Sequence, residues 1–158
     1  MDTYWLCDTC GEKINSPDQG LIEWYSCKDG DGVRRSRNLR LVHEISASPL
    51  KKLKRKGCAF DTLQGLIMPE GEIGNNPLSK YLGPDGLMFL LSLLTEGKFP
   101  NAEVLKMIKR LHIPGYELAR DYFRMAISEG VLKPGTPEGY YDQNDINAVL
   151  KWLQERRR

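Results

Sequence analysis

The sequence predicts an α+β protein, with a small zinc-bound antiparallel β unit at the N-terminus and a mainly helical half after it. Three observations predict it. Residues 4–45 alternate short β-favouring runs with turn residues. From Pro84 onward, apolar residues recur at helical spacing. Between the first two short runs, Cys7-x-x-Cys10-Gly11 has the spacing of a metal knuckle.

Size and composition bound the reading. A chain of 158 residues and 18.0 kDa can bury roughly 68–70% of its unfolded surface, enough for a core. Lys plus Arg number 23 against 21 Asp plus Glu, a net charge of +2, and 41% of residues are apolar. That balance excludes a polycation and a disordered acidic tail. The longest apolar run, Gly86 to Leu94, is shorter than the roughly 20 residues of a membrane span. Met1 opens onto Asp2 and Thr3 with no basic stretch, so a soluble chain that keeps its N-terminus is expected. Four cysteines are too few for a disulfide scaffold, and with the knuckle they point to a reducing cytoplasm.

The first strand is expected at Tyr4-Trp5-Leu6, the second at Gly20 to Cys27 and the third at Val33 to Ile45. Lys28-Asp29-Gly30-Asp31-Gly32 supplies the hairpin turn between the last two. Three short strands bury little apolar area alone, so residues 1–62 are expected to be a zinc-ribbon-like domain stapled by metal. Pro69, Gly71, Gly74 and Pro77 break any helix and make 63–77 a connector. Residues 78–158 form the helical domain. Its first helix starts at Pro84-Asp85-Gly86, is apolar nearly all round and closes at Gly97, which predicts burial. Asn101 caps a second helix with Val104, Leu105, Ile108 and Leu111 on one face, stopped before Pro114. The third runs from Tyr116 to Glu129 and stops at Gly130. Val131 to Tyr141 reads as a small hairpin, and Asp142 to Asp145 cap a last helix ending at Arg156-Arg157-Arg158.

The knuckle supplies two of four tetrahedral ligands, and Gly11 relieves the backbone crowding of so tight a turn. No βαβ setting surrounds it, so a redox pair is disfavoured. Cys27, His43 and Cys58 remain for the other two positions. In a regular hairpin about residue 30, Cys27 and His43 lie at opposite ends, up to roughly 33 Å apart, and cannot share one ion. A simple meander returns Cys27 to the knuckle and favours four cysteines. The pattern Trp5-x-Cys7-Asp8-x-Cys10-Gly11, then Leu41-Val42-His43, then Cys58-x-x-Asp61 resembles small bacterial proteins of unknown function. That resemblance, which covers the N-terminal third, implies one structural zinc on Cys7, Cys10, His43 and Cys58, with Cys27 in reserve. Four protein ligands leave no open position for a reactive water.

The most basic stretch holds Arg34, Arg35, Arg37 and Arg40, then Lys51, Lys52, Lys54, Arg55 and Lys56. Strand alternation sends Arg35 and Arg37 to one side and Arg34 and Arg40 to the other. The lysine run is placed to follow a phosphate backbone, or else is a solvated loop. The order helix, helix, helix, small hairpin, helix over Leu78 to Tyr141 resembles a winged-helix domain, with Val131 to Tyr141 as the wing. Such domains read DNA with the second helix of the pair. The exposed face of that helix is Glu117, Arg120, Asp121, Arg124 and Ser128, so Arg120 and Arg124 are its candidate DNA contacts.

No serine–histidine–acid set, phosphate loop or spaced carboxylate pair is present, and two histidines leave few general bases. The expected function is a cytoplasmic, structural-zinc binding protein, an adaptor or nucleic-acid-associated regulator. Its partner would be nucleic acid or another protein, with no membrane and no identifiable small-molecule substrate. The alternative is a small metal-dependent enzyme such as a nuclease.

Overall fold

The computed structural model describes residues 3–61, 71–135 and 140–158, in two compact units, Met1–His112 and Ile113–Arg158. In the first unit, β1 (Trp5–Leu6) and β2 (Lys13–Ile14) form a short antiparallel hairpin around the knuckle. A three-stranded sheet follows, with β3 (Gly20–Lys28) between β4 (Arg34–His43) and β5 (Glu72–Pro77), all antiparallel. The β3–β4 turn closes as its Asp and Gly residues predict: Asp29 N–H donates to Val33 O at 3.0 Å and Gly32, at φ 76°, donates to Asp29 O at 2.9 Å.

A bulge between Glu23 and Tyr25 shifts the register, with Asn38 on β4 at φ 59°. The free edge of β4 is closed by other elements. Ser36 N–H donates to Lys98 O, Leu39 N–H to the Glu103 carboxylate and Leu41 N–H to the Asp8 carboxylate, which shields the edge from further pairing.

Helices α1 (Gly83–Glu96) and α2 (Asn101–His112) pack on one face of this sheet. Ile22, Leu41, Leu78, Tyr81, Leu90, Val104 and Met107 are buried in one core with the knuckle residues Trp5, Cys7 and Ile14. The division expected at 62 and 78 therefore moves. The two helices bury their apolar faces on the sheet, so the first unit runs to His112. The expected connector is strand β5 at 72–77, and residues 63–70 lie outside the described residues. Gly74 belongs in that strand because the Trp24 indole lies on it, and a Cβ there would stand 2.3 Å from the ring. α1 is half-buried, not fully buried, with Leu90 and Leu93 inward and Met88 and Leu91 exposed.

The second unit holds α3 (Tyr116–Ala119), α4 (Phe123–Ser128) and α5 (Gln143–Arg156) around Phe123, Ala126, Leu132, Ile146 and Val149. The single helix expected over 116–129 is broken at Arg120–Tyr122, where Tyr122 N–H turns back to Ala119 O. Gly130, at φ 76°, ends α4 as expected, and Asp142 and Asp145 cap α5 reciprocally. The expected wing has no strand among its described residues 131–135 and 140–141, and residues 136–139 lie outside them. The Leu78–Tyr141 stretch is thus not one unit: α1 and α2 belong to the first, α3 and α4 to the second. Among the described residues, no helix is long and apolar enough to cross a membrane.

Candidate metal centre

The knuckle turns on itself between β1 and β2. Cys7 N–H donates to Glu12 O at 3.0 Å, Gly11 N–H to Cys7 O at 2.9 Å, and Thr9 N–H to the Cys7 sulfur at 3.4 Å. Gly11 sits at φ 77°, in the left-handed region, where a side chain would crowd the backbone. Asp8 then fixes the turn to the sheet. Its N–H donates to Leu41 O, and its carboxylate accepts from Leu41 N–H at 2.8 Å and from buried Arg110 of α2 at 2.7 Å. Arg110 also donates to Leu6 O at 3.0 Å.

This docking brings the knuckle to the end of β4, where His43 pairs with Gly20. His43 Nδ1 lies 3.4 Å from Cys10 Sγ and 3.7 Å from Cys58 Sγ. Its Nε2 lies 3.0 Å from Lys13 O, and since a carbonyl only accepts, Nε2 carries the proton and Nδ1 is left to ligate. Cys58 comes from the turns after β4. Its carbonyl accepts from Thr9 Oγ1 at 2.7 Å and Arg40 at 3.1 Å, and its sulfur lies 3.0 Å from Ser48 Oγ. The ligating atoms of Cys7, Cys10, His43 and Cys58 all lie within 4.8 Å of one another. The four residues lie close together, consistent with a single metal site.

Cys7, His43 and Cys58 are buried and Cys10 is partly so. Burial pushes the Cys10 thiol up to about 12, with the neighbouring Cys7 adding to the rise, and burial raises Cys58 as well. With both thiols raised, Cys10 and Cys58 ionise more readily beside a cation, a charge that a divalent metal would supply.

Cys27 is not part of the cluster. It pairs with Arg35 near the far end of β3, seven residues beyond Gly20, which is about 23 Å along the strand. The meander expectation fails because the knuckle docks at the Leu41 end of β4, not at the hairpin turn. The second histidine is elsewhere, with His112 Nε2 at 2.8 Å from Tyr81 O.

Six of the basic residues singled out in the sequence hold acidic partners. Arg34 pairs with Glu72, Arg35 with Asp29 and Asp31, Arg37 with Asp29, Arg40 with Glu23, Arg55 with Asp61 and Arg120 with Glu117. Lys51 donates to Ser46 O, while Lys52 and Lys54 are exposed, Lys56 partly so, and Arg124 is exposed on α4. Sequence reading missed the residues that hold the cluster from outside, Glu23, Ser48 and Arg110, since none has a local signature. Comparison with family models, with curated proteins and with solved structures finds no match.

Proposed function

We propose that Cys7, Cys10, His43 and Cys58 hold one zinc ion, and that the ion is a structural staple in a binding protein. The observation that carries this reading is the approach of three sulfurs and one imidazole nitrogen to within 4.8 Å. Tetrahedral zinc, with bonds of about 2.3 Å to sulfur and 2.0–2.1 Å to nitrogen, sets those two atoms about 3.5 Å apart. The sulfur–nitrogen separations of 3.4 and 3.7 Å bracket that value. A thiol-rich donor set suits zinc and not the oxygen-seeking magnesium or calcium. Four protein donors complete a tetrahedral shell and leave no place for a reactive water, which supports a staple over the metal-dependent nuclease. The local hairpin has two residues in each strand, so metal binding there contributes directly to folding.

A thiolate centre goes with a cytoplasmic location. Because Arg34, Arg35, Arg37, Arg40, Arg55 and Arg120 are ion-paired, nucleic-acid contact is proposed only as weak and sequence-independent, through Lys51, Lys52, Lys54 and Lys56. Elemental analysis of protein purified without added metal tests the centre, with one zinc per chain expected. A stoichiometry near zero with the fold intact overturns it. His43→Ala is expected to release zinc and unfold the knuckle, while Cys27→Ser retains it, and the reverse pattern would overturn the ligand set.

A further inference from the structure

Between the three-stranded sheet and α1, at the opposite end of β4 from His43, lies a pocket of about 310 Å³. Its walls are aromatic: Trp24 and Phe99 meet edge to face at 5.6 Å, and Tyr81 and Phe89 at 5.3 Å. Its floor is polar. Ser26 and Ser36 face each other across β3 and β4, each more than nine-tenths buried, with their hydroxyls 2.8 Å apart.

The pocket exists because those residues are small. Further along the sheet the cross-strand pair is Ile22 with Leu41, both fully buried, and a similar pair in place of the serines would fill the space. Within the serine pair one hydroxyl donates to the other, so one proton and several lone pairs remain for an incoming polar group. The rim has no dominant sign. Arg34 and Lys98 stand against Glu96, and Arg34 already holds Glu72 at 3.2 Å, which disfavours an anion as the defining feature of the ligand.

We propose that this pocket binds a small planar heteroaromatic compound of nucleobase or indole size, its ring against the aromatic walls and its polar edge on the Ser26–Ser36 pair. Aromatic walls favour a ring over an aliphatic group through the matching of quadrupoles. The volume is at the low end of the roughly 300–1,000 Å³ of ligand pockets, which limits the ligand to one or two fused rings. A ring lacking polar atoms would bury the remaining serine proton without a partner.

The test is a ¹H–¹⁵N NMR titration of the full chain with adenine and with indole. Toluene serves as a ring without a polar edge and cyclohexanone as a polar ring without aromaticity. Adenine or indole is expected to bind saturably with a Kd at or below about 1 mM, and toluene and cyclohexanone about tenfold more weakly. Shifts should centre on the Trp24 side-chain N–H and the Ser26 and Ser36 amides. The double variant Ser26→Ala with Ser36→Ala removes both hydroxyls together, leaving neither unpaired, and should reduce the heteroaromatic to the affinity of toluene. No saturable shift with adenine or indole overturns the proposal, as does equal binding of toluene to the wild type. Unchanged heteroaromatic affinity in a folded double variant also overturns it, and the ranking on the wild type decides by itself if that variant does not fold.

Discussion

Arg40 ties Cys58 of the Cys7–Cys10–His43–Cys58 cluster to the sheet, and Arg40→Met isolates that contact. Its guanidinium donates to Cys58 O at 3.1 Å, pairs with Glu23 at 2.6 Å and lies 3.6 Å over the Phe60 ring. Glu23, only 1% exposed, accepts in turn from Phe60 N–H at 3.0 Å. Together these contacts hold residues 58–60 against β3 and β4. Methionine keeps the unbranched stem and leaves the Glu23 carboxylate without its cation. Removing one partner of a fully buried pair costs about 3–5 kcal/mol. Here the Arg40 side chain is 23% exposed, so water offsets part of the loss and about 2–3 kcal/mol is expected.

The effect has a sign in pH. Burial pushes the Glu23 carboxyl above its ordinary 4.5, against the lowering by Phe60 N–H and Arg40, and without Arg40 it rises further. A carboxyl raised in the folded state supports the fold fully below its unfolded value and less as pH rises through the folded one. The stability gap between wild type and variant should therefore widen as pH rises from near the carboxyl's ordinary 4.5 to neutral. Loss of the contact to the Cys58 carbonyl should weaken zinc about 10- to 100-fold. Urea denaturation at the two ends of that range and competition with a chromophoric chelator measure both. Arg37→Met is the control, because Arg37 holds Asp29 at 3.0 Å with the two side chains 42% and 30% exposed. It should cost at most about 1 kcal/mol and leave zinc affinity unchanged. If Arg40→Met binds zinc as tightly as Arg37→Met, or its stability gap does not change with pH, Arg40 does not act on the cluster in this way.

Gly11→Ala places a side chain at φ 77° with no atom within 4 Å of its Cβ, so backbone strain alone should cost about 1–2 kcal/mol and speed zinc release. Gly32→Ala, at φ 76° in the β3–β4 turn, should carry a similar penalty in urea with no change in zinc release. For nucleic acid, fluorescence anisotropy with a random duplex should show weak binding, with a log–log salt slope of about −0.9 for each phosphate neutralised. Lys52→Glu combined with Lys54→Glu should abolish that binding and Arg34→Gln leave it unchanged. Binding that survives the lysine changes, or a strong preference for one duplex, would refute the lysine-loop assignment.

What could be read from the sequence was local. The Cys7–Gly11 knuckle, the Asp29–Gly32 turn, the Gly130 stop and the Asp142 cap each depend on residues within a few positions, and each lies where its spacing predicts. What could not be read depended on distant partners. β5 carries Gly74 and Pro77, both strand breakers by type; Gly74 is required by the Trp24 ring above it, and Pro77 closes an edge strand, where a missing N–H is tolerated. The arginines of β4 read as a basic run because their acids are scattered, with Glu72 thirty-eight residues from Arg34 and Glu23 seventeen from Arg40.

The fourth ligand shows the same division between local and distant causes. Cys27 and His43 are both buried, so burial does not distinguish them, and the strand pattern leaves either one to complete the site. The choice is made by the landing point of the knuckle. Asp8 ties it to Leu41, and Arg110, 102 residues away in sequence, locks Asp8 in place. With the knuckle held there, His43 is two residues further along β4, and the turns after it return Cys58 to the same end of the sheet, while Cys27 lies near the hairpin turn at the other end. A side chain joins the cluster here by convergence, and convergence is set by an ion pair that no local pattern encodes.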